Sequence, residues 1–287
     1  MSEIAGGTPA PDSSYWAADR YQHIANRLMP ISTAMCDLAK LRANELVLDV
    51  GCSTGNASLT AARRQCKTTG IDLDPGMLAV AARRAETEML AVTFRRADMQ
   101  RLPFSDESFD AVLSAYAAMF AEDARATVAE LLRVCRPNGR IVLAHWDPDS
   151  VITGMFALLN AYCPDVDDGT DVASRWGTAD GLSELFGANA TIYTRPRHIH
   201  VEAVSAKHWA ENICLNFGPA RQTLAAVDAD TGRQVRHELA ELFHRYDETD
   251  TPGVARIRVD YLEGMVTPIR RTYVKAAPSA QGSRPGI

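Results

Sequence analysis

Short apolar runs alternate with amphipathic segments through the first half of the chain. The runs have the length of β-strands, and the segments between them carry apolar side chains at helical spacing, as at Val128, Leu131 and Cys135. Alternation of this kind predicts a parallel sheet with right-handed crossovers. The predicted strands are 45–51, 67–73, 91–97, 109–115 and 139–146, and the predicted helices between them are 56–65, 75–88 and 122–135.

The pattern changes on both sides of this region. Residues 15–41 are predicted to be helical with an interruption at Pro30, and residues 136–139 are predicted to form a turn before the fifth strand. After Trp146, a long helical insert lies between two late strands, an arrangement typical of a lid over a ligand-binding face. The elements predicted there are helices at 150–163 and 178–187, a strand at 190–203, the helical insert at 206–247 and a last strand at 253–268.

These elements divide the chain into four parts. The N-terminal helices and the ligand-binding core occupy 15–148, and a helical cap with the last two strands of the sheet occupies 149–275. Segments 1–14 and 276–287 are rich in Gly, Ser, Pro and Ala, so they are predicted to be a disordered lead-in and a disordered tail.

Composition and charge exclude several classes of function. Thirty basic and 36 acidic side chains leave a net charge of −6, and basic clusters are short, which argues against a nucleic-acid partner. The six cysteines are scattered without a C-x-x-C pair, which disfavours a zinc site and indicates a reducing compartment. The longest apolar window, 151–163, is too short to span a membrane, and no signal peptide is evident. The sequence predicts a soluble cytoplasmic protein without a metal or a membrane partner.

The turn after the first predicted strand is the most informative segment. An apolar run containing Asp49 leads into Gly51, Cys52, Ser53, Thr54 and Gly55, and a helix follows. Strand, small-residue turn and helix together bring a nucleotide-type ligand against backbone amides at a helix N-terminus. Glycine is needed where a Cβ would block the sharp turn or the approach of the ligand.

Three kinds of site use a turn of this shape. The segment matches the G-x-S-x-G nucleophile elbow around Ser53, but only about 50 residues precede it and Asp49 would have no role. A dinucleotide fingerprint requires G-x-G-x-x-G, whereas Ser53 replaces the second glycine and Asn56 the third. The third kind of site is one for S-adenosylmethionine.

Five motifs, in order, resemble those of class I S-adenosylmethionine-dependent methyltransferases. They lie at 49–55 (the D-x-G-x-G-x-G motif), 70–78, 96–104, 108–114 and 131–140, and similarity to a ubiquinone/menaquinone-biosynthesis-like (type 11) small-molecule subgroup continues at 119–121, 145–148 and 176–177. The resemblance implies an α/β, Rossmann-like fold. Its seven-stranded, mostly parallel sheet would carry helices on both faces and a helical cap.

The family pattern implies roles for the acids of the first two motifs. Asp72 would bind the ribose hydroxyls, with a helix cap as its structural alternative, but Asp74 before Pro75 already suits that cap. Asp49 would lie beneath the methionine end of the cofactor, unless it only bonds the backbone at the end of its strand. Ser53 departs from the family's glycine, and a serine fits there if its φ is negative.

The remaining implied contacts come from the later motifs. Asp98 would bind the adenine amino group unless it only holds a turn, with Leu73 and Met99 beside the ring. Ser114, Ala115 and Tyr116 would lie under the methionine moiety at the end of the fourth strand, and Tyr21 would close over the cofactor or simply pack in the core. The implied cofactor-binding set is Tyr21, Asp49, Gly51, Ser53, Gly55, Asp72, Leu73, Asp98, Met99 and Ser114.

Methyl transfer to a hydroxyl or carbon acid benefits from a general base. His145, at the carboxyl end of the fifth strand, is the best-placed histidine, against the alternative of a structural strand-end histidine. Aromatic residues of the second half could line an apolar acceptor pocket or form core, namely Trp146, Phe156, Trp176, Trp209 and Phe217.

The expected activity is methyl transfer from S-adenosylmethionine to a small, apolar or aromatic metabolite. The alternative is a catalytically silent S-adenosylmethionine-binding or regulatory protein of the same fold, because fold alone does not determine chemistry. A hydrolase is a distant third. A homodimer is left open.

Overall fold

The computed structural model describes residues 16–166 and 170–269, so the predicted lead-in 1–14 and tail 276–287 lie outside the described residues. In this part of the chain, seven strands form one sheet in the order β3-β2-β1-β4-β5-β7-β6. The strands are β1 Leu46–Val50, β2 Lys67–Asp72, β3 Val92–Arg96, β4 Phe109–Ala115, β5 Cys135–Trp146, β6 Ala190–Ala203 and β7 Ala255–Pro268.

Strands β1 to β5 pair in parallel, and β7 pairs antiparallel with both β5 and β6. The prediction of a seven-stranded, mostly parallel α/β sheet is therefore confirmed. The inner strands β1, β4 and β5 are buried along most of their length, as strands covered on both faces must be. The strand order reverses between β1 and β4, and a crevice opens beyond the carboxyl ends of the strands at such a point.

Eleven α-helices of the described chain surround this sheet. The helical insert predicted at 206–247 is confirmed as three helices, and the segment predicted at 15–41 is two helices joined by a 3₁₀ turn. The helices are α1 Ala18–Ala25, α2 Met29–Leu38, α3 Asn56–Arg63, α4 Pro75–Thr87, α5 Ala124–Val134, α6 Val151–Tyr162, α7 Thr170–Trp176, α8 Ala179–Phe186, α9 Ala206–Asn216, α10 Gly218–Ala226 and α11 Ala229–Arg245. None of those helices is long and apolar enough to cross a membrane.

The prediction of a turn at 136–139 is wrong, because these residues belong to β5. The pairing with β4 passes from Phe109–Cys135 to Ala111–Arg140, so β5 carries extra residues in a bulge. Arg136 is anchored there by an ion pair with Asp110. The Pro and Gly that signal a turn are accommodated by this bulge.

Candidate functional site

The turn after β1 is held in left-handed backbone conformations. Gly51, Ser53 and Gly55 have φ values of +66°, +49° and +89°, and α3 begins directly after Gly55. A Cβ built on Gly51 would overlap the Cβ of Ala117. Glycine at position 51 is therefore required both by its conformation and by the close approach of the segment after β4.

Ser53 corrects the expectation of a negative φ at this position. Its φ of +49° is a conformation that costs a residue with a Cβ about 1–2 kcal/mol. Two contacts hold it: its N–H donates to Oδ2 of Asp72 at 2.8 Å, and its Oγ lies 3.4 Å from the Met77 sulfur. The turn forms despite the strain at Ser53 because Asp72 anchors it.

Replacing Ser53 by glycine should therefore stabilise the protein. We expect Ser53→Gly to raise the free energy of unfolding by up to about 1 kcal/mol, because relief of the left-handed strain exceeds the added chain entropy of glycine. Urea unfolding curves measure the difference. Ser53→Ala is the matched control, since it removes the hydroxyl and keeps the strained Cβ. Equal stability of the two variants would contradict the strain at this position.

Asp72 and Asp74 have different hydrogen-bonding partners at the end of β2. Asp74 has the helix-capping role that the sequence predicts. Asp74 caps α4, accepting from the N–H groups of Gly76 at 2.7 Å and Met77 at 3.3 Å. Asp72 accepts from the N–H groups of Ser53 at 2.8 Å and Asp74 at 2.9 Å, one on each oxygen. A carboxylate can accept about four hydrogen bonds, so Asp72 retains capacity for a ligand. Burial raises the pKa of Asp72.

Asp49 is buried at the end of β1. Its Oδ2 accepts a hydrogen bond from Ser58 Oγ at 2.6 Å, and the carboxylate is also hydrogen-bonded to the Ser58 backbone, as the alternative interpretation requires. Burial raises its pKa to about 6, while the bonds from Ser58 oppose this rise. The residue also lines a small cavity of about 40 Å³ beside the turn, together with Gly51, Ser53 and Tyr21.

A larger cavity of about 250 Å³, the donor cavity, lies beyond the ends of β1, β2 and β4. It is lined by the two acids after β2, by the turn after β1 and by apolar side chains. It brings together six residues of the predicted set, which are Tyr21, Gly51, Ser53, Asp72, Leu73 and Met99. Three further lining residues are Asp74, predicted as a helix cap, and Ala115 and Tyr116 of the predicted strand end 114–116. Five others were not predicted, namely Trp16, Met77, Ala97, Ala117 and Phe120.

Tyr21 and Trp16 close the donor cavity from the N-terminal side. Their rings contact each other with centroids 5.7 Å apart, and both contact Phe217 of the segment between α9 and α10, at 6.4 Å and 5.7 Å. Burial raises the pKa of Tyr21 to about 12, with a further contribution from the charge of Asp72. The first helix and the cap therefore meet in one aromatic wall above the cavity.

Three members of the predicted set do not line the cavities around the turn. Gly55 lies outside them and serves as the N-cap residue of α3. Oδ1 of Asp98 accepts a hydrogen bond from the N–H of Gln100 at 2.9 Å, which is the turn role left open above.

The prediction that Ser114 contacts the cofactor is corrected. Its hydroxyl donates to the Val50 carbonyl at 3.0 Å and accepts from the Ala118 N–H at 3.1 Å. Ser114 thus joins the ends of β1 and β4, and Tyr116 lines the cavities instead.

The placement of His145 also corrects its prediction as general base. The side chain is fully buried, its ring packs on Trp176 at 5.0 Å between centroids, and the cavities described here are lined without it. No group among the described residues hydrogen-bonds to either ring nitrogen. Burial lowers its pKa to about 3. His145 is a neutral core residue in this structure.

A second cavity of about 60 Å³, the cap cavity, lies between the sheet and the cap. It shares four lining residues with the donor cavity, so the two adjoin: Trp16, Tyr21, Tyr116 and Phe120. Four of the five aromatic residues predicted to line an acceptor pocket do so, namely Trp146, Phe156, Trp209 and Phe217. Trp176 is the exception, because it packs on His145.

The residues of the donor cavity fit S-adenosylmethionine. Gly51 leaves no room for a side chain at the turn, Asp72 keeps unused acceptor capacity, and Oδ2 of Asp74 is buried without a hydrogen-bonding group among the described residues. Leu73 and Met99 supply apolar walls near these acids. This donor set suits a ligand with hydroxyl groups and a flat apolar ring.

Comparison with known proteins gives the same result. Residues 48–143 match the family model described as "Methyltransferase domain". An uncharacterised protein of Mycobacterium tuberculosis is 30% identical over 244 residues, 83% of this chain and 88% of that protein. A demethylmenaquinone methyltransferase of Thermus thermophilus is 36% identical over 139 residues, 46% of this chain and 63% of that protein.

The structural comparison concerns the fold. The crystal structure of a putative methyltransferase from Bacillus halodurans superposes with a TM-score of 0.59 at 19% identity, over 83% of this chain and 99% of that one. Together with the turn, the acid after β2 and the sheet order, these matches identify the family. The chain belongs to the class I S-adenosylmethionine-dependent methyltransferases, in their type 11 group.

Proposed function

We propose that the protein transfers the methyl group of S-adenosylmethionine to a small, apolar or aromatic acceptor that binds in the cap cavity. The observation that carries this proposal is the shared wall between the donor cavity and the cap cavity. Tyr21 and Tyr116 line both cavities, so a donor held in one would lie next to an acceptor held in the other. Methyl transfer requires this adjacency, because most of its acceleration comes from positioning.

The side chains around the cap cavity favour an apolar acceptor. Its lining is almost entirely aliphatic and aromatic, with rings from the sheet, from α6 and from the cap. Phe156 contacts both Phe217 and Phe120, with centroids 5.7 Å and 5.9 Å apart. Such a surface stabilises an apolar molecule by burial and excludes water from the reaction.

The chain's own residues then hold and enclose the reactants. S-adenosylmethionine supplies, when bound, an electrophilic methyl group on a sulfonium. Asp72 would accept hydrogen bonds from the sugar, and the turn at Gly51 would hold the adjacent part of the donor. The rings of Trp16, Tyr21 and Tyr116 would face the positive charge, which aromatic faces attract.

Formation of S-adenosylhomocysteine with a panel of phenols, quinols and amines tests the proposal. Ile213→Trp fills the cap cavity from α9 and should lower turnover with every acceptor while the donor affinity, measured by calorimetry, stays constant. Leu215→Trp is the matched control, because Leu215 is 54% exposed on the same helix. Donor binding without turnover of any acceptor would favour the alternative, a catalytically silent S-adenosylmethionine-binding or regulatory protein.

His145 offers a separate test through the pH dependence of stability. Its pKa is about 3 in the folded protein against 6.5 in the unfolded chain, so below pH 6.5 the unfolded chain binds a proton that the folded protein does not. Stability is therefore lost as the pH falls, by about 1.4 kcal/mol per unit. We expect the free energy of unfolding of His145→Leu to rise by about 2 kcal/mol relative to that of wild type as the pH falls from about 8 to about 5.

Unfolding of both proteins by urea at the two pH values gives this difference. His208→Leu is the control, since His208 is an exposed residue at the start of α9. Equal acid sensitivity in His145→Leu and wild type would contradict the buried, neutral imidazole. Complete loss of turnover in a folded His145→Leu variant would instead support His145 as the general base.

A further inference from the structure

Tyr116 lies where all the cavities of the site meet. Its ring lines the donor cavity, the cap cavity and the small cavity beside Asp49. It follows β4 with a φ of +57° and stacks on Trp146 with ring centroids 3.5 Å apart and planes within 5°. The ring is therefore held where the donor cavity and the cap cavity adjoin.

Two buried oxygens near this point have unused hydrogen-bonding capacity. The Tyr116 hydroxyl and Oε1 of Glu263 are both inaccessible to solvent, and no group in the described ranges hydrogen-bonds to either. Leaving a polar group unpaired in the interior is costly, typically about 1–3 kcal/mol each. Such groups are found where a ligand or a reaction uses them.

The strand pairing places both oxygens on one face of the sheet. The Tyr116 N–H donates to the Ala144 carbonyl at 2.8 Å, and Ala144 is the partner of Glu263 across β5 and β7. Trp146, two residues further on, is the partner of Tyr261, whose ring is 6.3 Å from that of Tyr116. Opposed residues of a pair, and residues two apart, share one face.

Two arginines of β6 contact the residues around this pair. Oε2 of Glu263 accepts from Arg195 Nε at 2.6 Å, and Tyr261 hydrogen-bonds to Arg197. Burial raises the pKa of Tyr116 well above its ordinary value, with smaller contributions from Tyr261, Glu263 and Tyr21. The Tyr116 hydroxyl and Oε1 of Glu263 therefore lie on one face of the sheet, and neither is used by another group in the described ranges.

We propose that Tyr116 binds the hydroxyl of a phenolic acceptor and passes its proton to Glu263. This inference rests on the proposed function and adds the acceptor's reacting group and the destination of its proton. It gives the site the base that His145, on the other face of β5, cannot supply. Hydrogen bonds of such relays are often long before the substrate binds, so the missing Tyr116–Glu263 bond is compatible with the role.

The step balances without a further reactant. The acceptor oxygen forms a bond to the methyl carbon as the carbon–sulfur bond breaks, and its electron pair stays on sulfur. The acceptor's O–H proton moves to the Tyr116 oxygen, and the phenol proton of Tyr116 moves to Oε1 of Glu263. After the product leaves, water entering the emptied cap cavity takes the O–H proton of Tyr116, and buried Glu263 returns its proton to the Tyr116 oxygen.

Turnover of the holoenzyme provides the first test. Tyr116→Phe keeps the ring on Trp146 and should lower methyl transfer to a phenol by about 100-fold or more, with donor affinity unchanged. Glu263→Gln should show a similar loss, and the double variant should be no worse than either single variant, because the two act as one unit. The loss should shrink for phenols that are already ionised in the assay, a dependence that a merely structural role would not produce.

The controls remove comparable groups elsewhere. Tyr162→Phe removes a hydroxyl bonded to Glu238 at 2.9 Å, and Glu45→Gln weakens an ion pair with Arg140 like that of Glu263 with Arg195. Both should retain turnover. Full turnover of a phenol by Tyr116→Phe would overturn the relay and leave the proposed function standing, whereas wild-type protein inactive with every acceptor would refute both.

Equilibrium binding tests the same residue without turnover. Phenol and toluene have nearly the same size, so the ratio of their affinities for the unloaded protein reports the hydroxyl contact. Wild type should bind phenol more tightly than toluene. In Tyr116→Phe the ratio of the two affinities should fall by about tenfold, which corresponds to one hydrogen bond. Equal preference in the two proteins, or none in wild type, would overturn the role of Tyr116.

Discussion

Gly51→Ala is expected to abolish measurable donor binding and to destabilise the fold. A Cβ at position 51 would overlap the Cβ of Ala117, whose short side chain has no rotamer into which it can move. The backbone would have to shift, and the left-handed φ of +66° adds its own cost. Together these effects predict a loss of about 2–5 kcal/mol in the free energy of unfolding.

Two controls separate conformation from overlap. Gly253→Ala places a Cβ at a φ of +77° with no atom nearby, so it should cost only the conformational part. In Gly51→Ala combined with Ala117→Gly, the overlap is removed, and most of the lost stability and some donor affinity should return. Urea unfolding and calorimetric titration with S-adenosylmethionine measure both quantities. If Gly51→Ala bound the donor normally, the turn could not be the surface that holds it.

Local signals explain why much of the fold and part of the site could be predicted. Asp74 followed by Pro75 indicates a helix start from neighbouring residues alone, and the structure has both groups in those roles. Hydrophobic periodicity likewise locates the strands to within a few residues. The bulge at 136–139 escaped prediction because the same Pro and Gly signal a turn, and only the pairing with β4 shows which one forms.

Orientation along buried strands could not be read from the sequence. The last six residues of β5, which include His145 and Trp146, are all buried, so no alternation of polar and apolar residues reveals which side chain faces the cavities. Trp146 lines the cap cavity, and His145, its neighbour in the chain, points to the opposite face.

A comparable ambiguity affected the end of β4. The prediction placed residues 114–116 under the methionine moiety but included only Ser114 in the cofactor-binding set. A small hydroxyl at that position is used by the backbone instead, through Val50 and Ala118.

Asp72→Ala is the substitution expected to affect donor binding most directly without introducing a steric overlap. Its carboxylate lines the donor cavity and joins the turns after β1 and β2 through the N–H groups of Ser53 and Asp74. Loss of charged hydrogen bonds to the sugar should weaken S-adenosylmethionine binding by about 1–3 kcal/mol, roughly 10- to 100-fold in dissociation constant. Calorimetry should be done well above pH 6, where Asp49 is also ionised.

Asp72→Asn distinguishes this binding role from the structural one. The amide retains one oxygen that can accept from Ser53 or Asp74, so most of the stability should remain while the negative charge is lost. Asp106→Asn, at an exposed partner of Arg133, is the matched surface control. A loss of affinity in Asp72→Asn at nearly native stability indicates a carboxylate that contacts the donor. Unchanged affinity in both Asp72 variants would instead assign Asp72 to the two turns alone, and the sugar would then have to bind elsewhere in the cavity.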